Sequence, residues 1–105
     1  MIDPGVALRR ALERLHSTDP VVREEAIKTL EMLGDTNALP ALSEVFATDV
    51  EAPLRAMAQN AGKAIYYGAI RQRLEEQGAS EQERRQAADI LSQARAKKIR
   101  GKRKR

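Results

Sequence analysis

Between Asp19 and Leu33 the apolar positions return every three or four residues. Val22, Ala26, Leu30 and Leu33 share one helical face, and Glu24, Glu25, Lys28 and Glu31 keep to the solvated side. The spacing predicts an amphipathic helix over 20–33. Asp19 offers a carboxylate to cap it, Pro20 fits the first helical position, where a missing N–H costs nothing, and Gly34 supplies the left-handed residue that closes it. A shift of 32 positions lays Asp19 on Glu51, Val22-Arg23 on Leu54-Arg55, Ala26 on Ala58 and Leu33 on Ile65. Self-similarity at that period is the mark of a helical repeat array, in which each unit buries its apolar face against the next.

The same pattern places the remaining elements. Asp3-Pro4 opens a first helix with Leu8, Ala11, Leu12 and Leu15 on one side and Arg9, Arg10, Glu13 and Arg14 opposite. A shift of 30 matches Ala11, Leu12 and Leu15 to Ala41, Leu42 and Val45, so the array is expected to begin in mid-repeat. Thr36, Asn37 and Pro40 start a helix whose expected buried set is Ala38, Leu39, Leu42, Val45 and Phe46, with Thr48 and Asp49 ending that repeat and starting the following one. A third motif helix is expected from Pro53 to Glu76, either continuous or broken near Gly68, lined by Leu54, Met57, Ala58, Ala61, Ile65 and Gly68. Gly78 is expected to close it. Ser80 and Glu83 then have the spacing of a capping box, and the helix they open carries a narrow stripe of Ala87, Ala88, Ile90, Leu91 and Ala94.

The residues Asp19, Val22, Arg23, Ala26 and Leu30, then Gly34-Asp35, then Ala38, Leu39, Pro40 and Leu42 carry a likeness. This stretch resembles HEAT repeats, in the form close to the phycobilisome-lyase-like subgroup. The resemblance is strong over Ser17 to Phe46. It weakens in the second repeat, where Gly62 replaces the leucine at Leu30 and Tyr66-Tyr67 replace the Gly34-Asp35 turn. It implies an all-α chain: a short right-handed α-solenoid, a HEAT-like superhelix of about two repeats, followed by a C-terminal helix and a basic tail. It also implies that Asp19, Arg23 and Arg55 stack the turns of neighbouring repeats and are structural.

Charge adds a division that periodicity does not. The chain carries +4, yet every acidic residue lies at or before Asp89, and Arg95, Lys97, Lys98, Arg100, Lys102, Arg103, Lys104 and Arg105 supply eight positive charges. Residues 1–94 therefore carry 4 − 8 = −4. The expected organisation is a helical repeat domain over 1–94 and a basic tail over 95–105, disordered beyond Gly101.

Candidate chemistry is sparse. His16 is a lone histidine at a helix end, suited to capping carbonyls, with no serine placed beside it as a nucleophile. The adjacent acids Glu24-Glu25 and Glu75-Glu76 point about 100° apart on a helix, so neither pair converges on a metal. No glycine spacing cradles a phosphate, and the absence of cysteine removes disulfides and thiolate metal sites. No catalytic, cofactor-binding or metal residue is assigned, and no small-molecule substrate.

The reading is a non-catalytic helical-repeat adaptor that binds another protein or forms a homodimer, because two short repeats leave an end uncovered. Tyr66, Tyr67, Arg10 and Arg14 are the candidate partner-binding residues. The eight cations of residues 95–105 are the candidate polyanion-binding residues, and the alternative is a nucleic-acid-associated protein holding RNA or DNA through them. No apolar run approaches the roughly eighteen residues that span a bilayer, and a single Ile99 gives the basic segment no face to insert, so no membrane partner and a cytoplasmic location are expected.

Overall fold

The computed structural model describes residues 3–76 and 80–103, with side chains described over 3–76 and 80–96. All regular structure among these residues is helical: α1 (Pro4–Arg14), α2 (Pro20–Leu33), a 3₁₀ turn (Thr36–Ala38), α3 (Leu39–Thr48), α4 (Ala52–Glu76) and α5 (Glu81–Arg103). They fall into two compact units, residues 1–68 and 69–105.

In the first unit the caps act where the sequence places them. Asp3 accepts from the Gly5 N–H, Asp19 from Val21 at 2.9 Å and Asp35 from Asn37 at 2.8 Å, each satisfying a donor that the helix cannot. Gly34, at φ 67°, closes α2 with its N–H on the Leu30 carbonyl. The core is one cluster drawn from every element of the unit: Ala11 and Leu15; Ala26, Ile27 and Leu30; Ala38, Leu42 and Val45; Leu54, Ala58, Ala61 and Ile65. Small residues at Ala11, Ala26, Ala38, Ala58 and Ala61 leave the bulk to Ile27, Leu30 and Leu42, which are the largest fully buried side chains.

Three side chains depart from expectation: Ala88, placed in the apolar stripe of the last helix, is exposed, and Phe46 and Ile27 exchange the burial expected of them. Phe46 is exposed, because Ala38, Leu42 and Val45 already form the inward stripe at i, i+4 and i+7, and Phe46 lies a further 100° round. Ile27 is buried although it lies off the narrow stripe of α2. Arg23, one turn earlier on the same flank, reaches Asp49 in the turn before the next motif helix.

α4 runs as one helix through Tyr66-Tyr67 and Gly68, which settles the open question of a break at Gly68. Glycine in a helix interior costs about 1 kcal/mol and does not by itself end it. Leu39 fills the place beside Gly62, with its Cδ2 at 3.9 Å from where a Cβ would stand.

The second unit holds the end of α4 and α5. The capping box forms: the Glu83 N–H donates to Ser80 Oγ at 3.2 Å, and Glu83 Oε1 accepts from Ser80. Arg73 pairs with Glu83 and Arg85 with Glu81. The expected closure at Gly78 lies outside the described residues, as do Lys104 and Arg105. α5 continues to Arg103, past the point where disorder is expected. Alanine, arginine and lysine are good helix formers, and one glycine at position 101 is too small a cost to stop them.

Candidate protein-binding surface

The polar geometry of the first unit centres on Asp49, in the turn between α3 and α4. Arg23, on α2, donates from Nε to Asp49 Oδ2 at 2.9 Å and from Nη2 to Oδ1 at 3.1 Å, a planar two-point contact that lysine could not make. The third guanidinium nitrogen, Nη1, donates to the Ser17 carbonyl at 2.9 Å. One arginine thus ties the turn before its own helix to the turn before the next motif helix. The pair is well covered, with side-chain exposures of 12% and 4%.

Asp49 is further held by the Glu51 N–H, which donates to its Oδ1 at 2.9 Å, and its own carbonyl accepts from Arg55 Nη1 at 2.7 Å. The hydrogen bond from Arg23 does most to hold the Asp49 carboxyl below the usual carboxylate range, against the cost of burial. The same contact raises the Arg23 guanidinium, so both stay charged.

These contacts define the repeat register. Arg55 reaches the Asp49 carbonyl as Arg23 reaches that of Ser17, and the Asp49 side chain takes the Glu51 N–H as Ser17 Oγ takes that of Asp19 at 3.1 Å. A shift of 32 is therefore the structural period, with Asp49 equivalent to Ser17 and Glu51 to Asp19. Asp19 itself serves as the α2 cap. The acid that joins the repeats is Asp49, which local pattern marks only as the boundary between one repeat and the next.

The candidate partner-binding residues do not form one cluster. Tyr66 and Tyr67 sit side by side on α4 with ring centroids 5.3 Å apart, edge to face; Tyr66 is 47% exposed and Tyr67 half-buried. Arg10 and Arg14 are exposed on α1, and Arg14 pairs with Glu25 at 3.0 Å. Val21, Met32 and Val50 are also exposed and are not singled out by sequence, because periodicity reports the buried face only, and Phe46, expected in the core, is exposed with them. Arg95 is exposed; the other seven basic side chains lie outside the described ones.

Some of the acids elsewhere are engaged in local pairs. Glu24 pairs with Lys28 at 3.2 Å, and Glu76 accepts from Gln72 at 3.1 Å. His16 turns its backbone N–H to the Glu13 carbonyl, so the capping is done by main chain. Its side chain borders a shallow cleft of about 130 Å³ shared with Ala41, Glu44, Thr48 and Asp49. Among the described residues, no three metal-ligating side chains come together.

A two-point guanidinium–carboxylate link from one motif helix to the turn before the next, with the arginine-to-carbonyl contact beside it repeated at 32 residues, is a stacking device. The family model for HEAT repeats matches residues 3–62, more than half of the chain. The chain belongs to the HEAT-repeat family. A 50-residue stretch of this HEAT-repeat protein is 46% identical to phycocyanobilin lyase subunit alpha of Picosynechococcus sp., over 48% of the chain but 19% of that subunit. The chain therefore spans about a fifth of the relative's length in that alignment. No solved structure matches it. Among the described residues, no helix is long and apolar enough to cross a membrane.

Proposed function

We propose that this HEAT-repeat protein is a non-catalytic adaptor that holds another protein against its first unit. The observation that supports this most is the division of labour among its side chains. The charged pair Arg23 and Asp49 joins one repeat to the next, and the surface is left with exposed aromatic and aliphatic groups at Val21, Met32, Phe46, Val50 and Tyr66. Such groups suit contact with a protein, and aromatic and arginine side chains are the usual anchors of interfaces. Tyr66, Tyr67, Arg10 and Arg14 are the residues assigned to that contact. The lyase chemistry named for the similar subunit is not carried over, because the alignment covers a fifth of that subunit and the acids and histidine of this chain do not converge.

The adaptor is tested by isolating the chain from its native extract with wild-type, Tyr66→Ala and Arg14→Ala forms and sedimenting the products. A defined complex that Tyr66→Ala weakens supports the reading. A monomer at high micromolar concentration that carries no partner from the extract refutes both the complex and the homodimer.

A second reading concerns residues 95–105. Eight cations in eleven positions, with no acid among them, suit phosphate neutralisation without base recognition, so this segment is assigned to polyanions, RNA or DNA foremost.

A further inference from the structure

Arg23 and Arg55 hold equivalent places, yet only one of them is fully used. Arg23 spends Nη1 on the preceding turn and its Nε–Nη2 edge on Asp49. Arg55 places Nη1 on the Asp49 carbonyl in the same way, and among the described residues no carboxylate meets its remaining edge. The flank around it is open as well. Counting from Ala26 and Ala58, the equivalent of Arg23 and buried Ile27 on α2 is Arg55 and exposed Gln59 on α4, with exposed Tyr66 two turns further along. On α2 this flank is covered; on α4 it is not.

We propose that the Arg55 flank of α4 docks a helical hairpin of another repeat protein, whose inter-helix turn brings an aspartate or glutamate to the free edge of the guanidinium. This deepens, and rests on, the adaptor reading. The chemistry of the occupant follows from the register. Whatever stacks on α4 as α4 stacks on α2 presents, at the Asp49 position, the residue that Arg55 must grip, and a bidentate edge selects a carboxylate there. A second copy of this chain would present Ser17, whose single hydroxyl cannot fill that edge and already takes the Asp19 N–H. The occupant is thus a different repeat protein, with an acidic turn.

The reasoning gives a self-contained test, because it says what a copy of this chain lacks. Ser17→Asp supplies the missing carboxylate on an α1–α2 hairpin, and Asp49 shows that an aspartate there can serve the turn as Ser17 does. Full-length wild-type, Ser17→Asp, Ser17→Asn and Ser17→Asp/Arg55→Lys proteins are compared by sedimentation, with thermal melts confirming the fold. Ser17→Asp should self-associate roughly ten- to a hundredfold more tightly than wild type, the equivalent of one charge-assisted contact. Ser17→Asn, and the double variant that keeps the charge but loses the planar fork, should behave as wild type. Unchanged association of Ser17→Asp, or association that survives Arg55→Lys, overturns the proposal. If the native complex persists while Ser17→Asp stays inert, the adaptor reading stands and only the Arg55 assignment falls.

Discussion

Substituting alanine for each of Gly34, Gly62 and Gly68 should give three different outcomes, and the structure fixes their order. Gly62 and Gly68 lie inside α4, where replacing glycine by alanine gains about 0.5–1 kcal/mol by restricting the unfolded chain. At Gly68 nothing lies within 4 Å of the new methyl, so that gain is the whole effect. At Gly62 the methyl meets Leu39 Cδ2 at 3.9 Å, an ordinary packing distance. Half-burying one methyl adds about 0.4 kcal/mol, from about 0.8 per fully buried methylene. Gly34 reverses the sign, since its φ of 67° costs an L-residue about 1–2 kcal/mol. At about 4–8 °C per kcal/mol for a domain of this size, the three melts are well separated. Circular dichroism at 222 nm against temperature and urea reads all three. A fall in stability at Gly62→Ala, or a gain at Gly68→Ala larger than at Gly62→Ala, would refute the assignment of α4 as one helix packed on Leu39.

Leu30→Asp puts an unpaired carboxylate at a position with no exposure, which costs several kcal/mol against a total of about 5–15, and a cooperative melt should be lost. Asp49 contributes to stability in a pH-dependent way. Its folded pKa is lowered, so the contribution is present above the unfolded carboxylate value and is lost as pH falls through the folded one. Asp49→Asn should therefore be less stable at neutral pH and show a shallower acid limb below about pH 4 in a melt series, and an unchanged acid limb would exclude the pair as its source. If roughly six cations of residues 95–105 engage duplex phosphates, log affinity should fall with log salt at a slope of about −5. Deleting 95–105 should abolish that binding and leave the melt of the first unit intact, whereas salt-insensitive binding would refute it.

Local signals carried most of the fold. Asp3-Pro4, Asp19-Pro20 and Gly34 name helix ends by chemistry confined to a few residues, and the ends fall there. The stripe Leu54, Ala58, Ala61 and Ile65 is buried as its period predicts. Ile27 was illegible because its burial depends on what stacks on the adjacent flank, a fact outside its own helix. The Arg23–Asp49 link spans 26 positions and joins a helix to a distant turn, so no i to i+4 rule could pair them. Sequence reading gave the stacking role to Asp19, which is the local cap, and the repeat period alone does not say which of two aspartates near the turn faces back. The basic end reads as disordered by charge and as helical by propensity, and α5 follows propensity to Arg103.

The account rests on Asp49 as the joint that makes two repeats one platform. A double-mutant cycle of Arg23→Ala and Asp49→Ala, read by urea denaturation, tests this most directly. If each residue acts through the other, either substitution should lower stability and the double variant should be no less stable than the worse single one. Losses that simply add would contradict it, and the two repeats would then have to be joined by their apolar core alone.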